Sequence, residues 1–251
     1  MPTPITLEIC VDSPRSAEGA VRGGAHRIEL CCALAEGGLT PSAGLIATVR
    51  AHVELDLYVM IRPRPGDFCY DPGEFAAMKH DIATAKELRA NGVVFGILRE
   101  EGSIDGPRCR ELLDLARPLG TTFHRAFDMS RDLSKSLEEV IALGFDRVLT
   151  SGGEQKVQNA VTMVKLLREQ AGDRIAVMIG SGINSANAAE LMTQTGVREI
   201  HASARRIEPG PMLYRNKKIA MGGQAGREYE QAVADEEEVR KLVRAIVTAG
   251  V

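Results

Sequence analysis

The chain of 251 residues has no tryptophan, only four tyrosines and six phenylalanines, no run of lysine or arginine, and a formal net charge of −3. Without a basic face or aromatic platform there is nothing to neutralise phosphates or stack bases, and nucleic acid is excluded as an expected partner. No segment approaches the roughly 20 consecutive apolar residues of a membrane span, so no membrane role is expected. Met1-Pro2-Thr3-Pro4 runs into an apolar strand pattern without the basic region and long apolar stretch of a signal peptide. The five cysteines, Cys10, Cys31, Cys32, Cys69 and Cys109, form neither a CxxC pair nor a disulfide framework, so reduced thiols in the cytoplasm are expected. The histidines lack HxH and HExxH spacing, which argues against a zinc site.

What is present is a repeat: a helical stretch, often a glycine, a short β-rich run, then polar loop residues. The β-rich runs are Ile5 to Cys10, His26 to Cys31, Asp56 to Arg62, Gly92 to Leu98, Thr121 to Arg125, Asp146 to Thr150, Arg174 to Gly180 and Val197 to Ala202. Gly23-Gly24, Gly92, Gly120, Gly144 and Gly196 read as helix C-terminal glycines. Ser13-Pro14, Thr40-Pro41, Asp71-Pro72 and Asp105-Gly106-Pro107 read as helix starts, with a capping side chain beside a proline whose missing N–H costs nothing there. Strands alternating with helices require a parallel sheet, and eight such units close as a barrel. An open dinucleotide-binding sheet would want a glycine-rich turn after its first strand, and Cys10-Val11-Asp12-Ser13 offers none. The expected fold is therefore α/β, a single (β/α)8 TIM barrel over residues 1–251. A long loop from Ser203 to about Glu236 separates the last strand from the last helix, either as a mobile excursion or as a lid over the barrel mouth.

Strand alternation turns Leu7 and Ile9 toward the helices and Glu8 and Cys10 toward the lumen; Glu29, Cys31, Met60, Arg62, Thr122, His124, Met178, Gly180, Glu199, His201 and Ser203 follow the same parity. Barrel interiors are ordinarily apolar, so these charges need partners: each other, in a closed network, or a ligand at the strand C-termini. Gly180, Ser181 and Gly182 after the seventh strand, and Ser203, Ala204 and Arg205 after the eighth, occupy the loops where barrels bind phosphate through backbone N–H groups, and they are the candidate anion site. Adjacent strands lie about 4.8 Å apart, so Cys10 and Cys31 can both reach one soft ion such as Cu(I), with Met60 or Met178 as helpers; taken alone, two core thiols read more readily as simple packing.

At these residues the chain resembles the CutC family of copper homeostasis proteins. The matching stretches include Leu7-Glu8-Ile9-Cys10, Arg27-Ile28-Glu29-Leu30-Cys31, Met60-Ile61-Arg62-Pro63-Arg64-Pro65-Gly66-Asp67-Phe68, Thr122-Phe123-His124-Arg125-Ala126-Phe127-Asp128 and His201-Ala202-Ser203-Ala204, and they span nearly the whole chain. The resemblance implies a barrel, a cytoplasmic location, a role in copper tolerance or trafficking, and Cu(I) ligation by Cys10 and Cys31. The residues also support an enzyme acting on a small anionic substrate. In that reading Arg62 and the two phosphate-type loops hold the anion, His124 is the general acid or base with Glu8 or Glu29 as partner, and Asp128 and Arg125 position it. A third reading is a non-catalytic interaction platform. A homodimer is expected because barrels commonly associate.

Overall fold

The computed structural model describes residues 5–216, 218, 219, 221 and 227–249; Met1 to Pro4 and part of the Ser203 to Glu236 stretch lie outside the described residues. Eight parallel strands pair in chain order and close on themselves. They are β1 (Thr6–Val11), β2 (Arg27–Leu30), β3 (Asp56–Met60), β4 (Gly92–Phe95), β5 (Gly120–Phe123), β6 (Arg147–Thr150), β7 (Ala176–Ile179) and β8 (Glu199–Ala202). Between them run α1 (Pro14–Gly23), α2 (Ala43–His52), α3 (Pro72–Glu87), α4 (Gly106–Ala116), α5 (Leu133–Leu143), α6 (Val161–Ala171) and α7 (Ala188–Thr195), and α8 (Glu236–Ala249) completes the ring. The (β/α)8 TIM barrel is thus observed, and no described helix is long and apolar enough to cross a membrane.

Local chemistry accounts for the boundaries. Ser13, Asp71 and Asp105 each accept a backbone N–H at the start of α1, α3 and α4, and Asp71 with Glu74 forms a reciprocal capping box. The start expected at Thr40-Pro41 falls two residues later, because the Ser42 hydroxyl is the acceptor that caps α2. Gly24 and Gly144 end α1 and α5 in the left-handed region, as expected of C-terminal glycines. Gly92 and Gly120 do something else: they open β4 and β5, where an added Cβ would lie 2.2 Å from Tyr58 Cε1 and 2.1 Å from Tyr58 Oη. Those glycines make room for an aromatic ring crossing the lumen.

The apolar core lies between barrel and helices, with Leu7, Ile9, Ile28, Leu30, Val93, Phe95 and Phe123 fully buried on the outer strand faces. Within the long stretch after β8, Arg205–Pro209 (β9) pairs antiparallel with Glu230–Ala234 (β10), the register running from Arg205 opposite Ala234 to Pro209 opposite Glu230. The base of the excursion is therefore an ordered hairpin. It is stapled to the barrel where Ala234 N–H donates to Ser16 Oγ at 3.2 Å.

Candidate functional site

Low in the lumen, charges close on one another. Glu8 faces Arg27 across one strand pair and His201 across the other. Its carboxylate accepts Arg27 Nε at 2.5 Å and His201 Nδ1 at 2.7 Å. Arg27 also reaches Glu199 at 2.6 Å, and Arg147 meets the same Glu199 oxygen at 2.9 Å. Both guanidiniums stack on the Tyr58 ring, 5.1 and 5.0 Å from its centroid. Burial alone would raise the Glu8 pKa, but Arg27 and His201 outweigh it and bring it down to about 2. Arg27, Arg147 and Tyr58 were not singled out from sequence. The signal was available, because Arg27 and Tyr58 share the parity of Glu29 and Met60 one step further down their strands.

Above this layer a cavity of about 350 Å³ opens at the strand C-termini. Cys10, Glu29, Met60, Arg62, His124, Ser181, Gly182, His201 and Ser203 contribute to its wall, joined by Leu34, Gly37, Phe68, Arg125 and Ile183 from loops. Cys10 Sγ, a Glu29 carboxylate oxygen and a His201 ring nitrogen lie within 4.8 Å of one another. Burial opposes charge on His201, yet Cys10, Glu29 and the Glu8 hydrogen bond raise its pKa well above the ordinary histidine value. Burial raises the pKa of Glu29, and the opposing pull of His201 does not restore it.

His124 caps the short helical turn after β5, its Nδ1 accepting the Ala126 N–H at 3.2 Å. The proton of the neutral ring is thereby assigned to Nε2, which is buried and has no partner among the described residues. Burial first, and Arg62 second, lower the His124 pKa to about 3, so the ring is neutral near pH 7. Arg62 stacks on Phe68 and gives its terminal nitrogens to the carbonyls of Glu36, Gly38 and Gly66, leaving Nε without a partner among the described residues. Glu29 Oε1 is likewise buried and without a partner among them. Each such orphan costs on the order of 1–3 kcal/mol, which makes this wall an expensive surface unless something binds it.

Several expected site residues sit elsewhere. Cys31 is fully buried away from the cavity wall, its thiol donating to Glu29 Oε2 at 3.4 Å, and burial together with that carboxylate pushes its pKa well up. Met178 lies in the lower layer, its sulfur against Arg27 Nη2 at 3.2 Å. Asp128 is consumed by Thr150, Ser151, Gly153 and Arg125, tying the turn after β5 to the loop after β6. His124 has neither Glu8 nor Glu29 as partner. Gly180 packs beneath His201, where a Cβ would stand 2.9 Å from Leu149 Cδ1. Ala204 is buried off the wall, and Arg205 pairs with Asp12 at 2.9 Å. Ser181 holds a φ of 76°, in the left-handed region that a non-glycine residue enters at a cost of about 1 kcal/mol. No described residue of β9, β10 or the stretch between them lines the cavity.

Fold and site together define a class: a TIM barrel whose mouth gathers a thiol, an imidazole and a carboxyl group. More particularly, the chain belongs to the CutC family, whose model matches residues 5–206. It is 47% identical over 237 residues to the human copper homeostasis protein cutC homolog, covering 94% of this chain and 87% of the relative. It is 42% identical over 245 residues to a CutC family protein of Bacteroides fragilis, covering 97% of this chain and 98% of the relative. The crystal structure of CutC from Streptococcus agalactiae superposes with a TM-score of 0.76 at 34% identity, covering 79% of this chain and 98% of that one. Thiamine phosphate pyrophosphorylase from Pyrococcus furiosus, at TM-score 0.59 and 15% identity, shares the fold alone.

Proposed function

We propose that this chain is a cytoplasmic copper-handling protein that takes Cu(I) as cargo at the barrel mouth, on Cys10 with His201 as second donor. The observation that carries the reading is the cluster of Cys10, Glu29 and His201 ligand atoms within 4.8 Å, on a wall that also carries the Met60 thioether. Thiolate, imidazole and thioether are the donors Cu(I) prefers, whereas a carboxylate is too hard to be its main ligand. Glu8, bonded to His201 Nδ1, then acts as the outer partner that fixes the imidazole. Relatives named for copper homeostasis support the same reading. Cys31, bonded to Glu29 below, braces the cluster. The protein is expected to work as a homodimer, which its sedimentation will report.

The test is an anaerobic Cu(I) titration against a chromogenic chelator. The parent is expected to bind about one Cu(I) per chain, and Cys10→Ser to lose more than the roughly 10–100-fold typical of an outer partner, with a smaller loss for Cys31→Ser. Undiminished affinity in Cys10→Ser would sink the assignment.

An enzyme acting on a small anion is the second reading, favoured by the buried, unpartnered His124 Nε2 on the cavity wall. With a pKa near 3 the ring is a hydrogen-bond donor, not a proton shuttle at neutral pH, so in that reading it polarises the anion.

A further inference from the structure

Of the four buried side-chain nitrogen and oxygen atoms that lack a partner among the described residues, three belong to residues on one cavity wall: Glu29 Oε1, Arg62 Nε and His124 Nε2. Two of these are N–H donors. The Arg62 guanidinium donates to backbone carbonyls alone, and no carboxylate of the described residues pairs with its buried positive charge. Arg125 brings a second guanidinium to the same wall, its Nε paired with Asp128 at 2.8 Å, and the backbone N–H groups of Ser181, Gly182 and Ile183 have no acceptor among the described residues. The cavity thus has two unlike sides, a sulfur and imidazole side at Cys10 and His201 and a donor-rich side at Arg62, His124 and Arg125, where the Arg62 charge is the one without a carboxylate partner among the described residues. At about 350 Å³ it is the size of a small-molecule pocket and far larger than one ion.

Building on the copper reading, we propose that the mouth receives Cu(I) as its complex with a small anionic thiol. The carrier's carboxylate faces His124, Arg62 and Arg125, while its Cu(I)–thiolate end meets Cys10. Cu(I) favours thiolates, so a soluble carrier in a reducing compartment is itself a thiol, and a carboxylate on that carrier accepts the hydrogen bonds this wall offers. Transfer is ligand exchange with no change of oxidation state. A bond forms between Cys10 Sγ and Cu(I), the bond from Cu(I) to the carrier sulfur breaks, and the Cys10 thiol proton passes to the departing thiolate, which leaves as a free thiol.

The test compares Cu(I) presented by mercaptosuccinate with Cu(I) presented by neutral 2-mercaptoethanol, at matched free Cu(I), counting protein-bound copper after rapid mixing and separation. Transfer from mercaptosuccinate is expected to be at least about tenfold faster, as electrostatic complementarity accelerates association. The ratio should fall toward one in His124→Phe and in Arg125→Met, with urea unfolding of the latter checking that loss of its pair with Asp128 leaves the fold intact. A wild-type ratio below about twofold, or a ratio unchanged in both variants, overturns the proposal. Cys10→Ser separates the two failures. If it binds Cu(I) as tightly as the parent, the copper reading itself is lost; if Cu(I) binding needs Cys10 but the two donors transfer equally, only the anionic carrier is lost.

Discussion

The lower and upper halves of the barrel lumen use the same residue types to opposite ends. Below, Glu8, Arg27, Glu199 and Arg147 share short ion pairs around the Tyr58 ring. Above, Glu29, Arg62 and His124 each keep one buried polar atom without a partner among the described residues. Of the two outcomes a charged lumen allows, a self-satisfied network and a ligand site, the lower layer is the first, and the upper layer keeps the unpartnered groups that the second requires. Glu8 and His201 join them, since their hydrogen bond has one end in the closed layer and the other at the mouth. The closed layer is what lets the mouth stay unsatisfied, because it fixes the shared side chains without drawing on the upper donors.

The comparison breaks most severely if the lower layer is opened. Arg27→Met removes the cation that Glu8 and Glu199 share, leaving Glu8 with His201 alone and Glu199 with Arg147 alone, and breaking a buried pair from one side costs about 3–5 kcal/mol. Denaturant unfolding should register that loss. A loss under about 1 kcal/mol would mean that the layer is not the structural half of the lumen.

The Tyr58 ring sharpens the point with a smaller effect. Gly120→Ala places a methyl 2.1 Å from Tyr58 Oη, and two guanidiniums pack against the ring, so overpacking of about 1–3 kcal/mol is expected. Tyr58→Phe removes the clashing oxygen and leaves the next contact at 3.0 Å, so the double variant should regain most of the loss. If Gly120→Ala is neutral or stabilising, the glycine is an ordinary strand start and the ring is free to move.

Much of this was legible before any coordinates. The eight β-runs fall within a few residues of the observed strands, because the alternation of strand and helix with glycine and proline punctuation is a strong local signal. Strand parity also brought Cys10, Glu29, Met60, Arg62, His124 and His201 to one mouth. What parity does not encode is reach. Cys31 has the right parity, but its thiol is taken by Glu29, and Asp128 precedes a loop whose backbone and hydroxyls occupy it fully. Gly92 and Gly120 look like helix ends in sequence because the reason for them, the Tyr58 ring, lies on another strand. The hairpin of β9 and β10 was invisible for a related reason: its pairing joins segments more than 20 residues apart, with no turn signal linking them.

The mildest test reads the upper half directly, through pH. His124 has a folded-state pKa of about 3 against an ordinary value of 6.5, so between those values the unfolded chain binds a proton that the folded chain does not. Its contribution to stability is therefore fully present above pH 6.5 and declines as pH falls through the window toward 3. His201 is raised instead and is protonated in both states below 6.5, so it adds no slope there. Glu8, at about 2, is ionised in both states until the pH approaches the unfolded carboxylate value of 4.5. His26 is lowered too, but it is common to parent and variant. His124→Phe loses the Ala126 hydrogen bond at every pH and loses the proton linkage only in acid. The parent should thus shed about 1.5 kcal/mol more than His124→Phe between pH 6.5 and 5.0 in urea unfolding, because a fully buried imidazole forced to stay neutral forfeits up to about 1.4 kcal/mol per pH unit. Parallel curves would mean that water or a counter-charge reaches Nε2 in solution, and the mouth would then be as well satisfied as the layer beneath it.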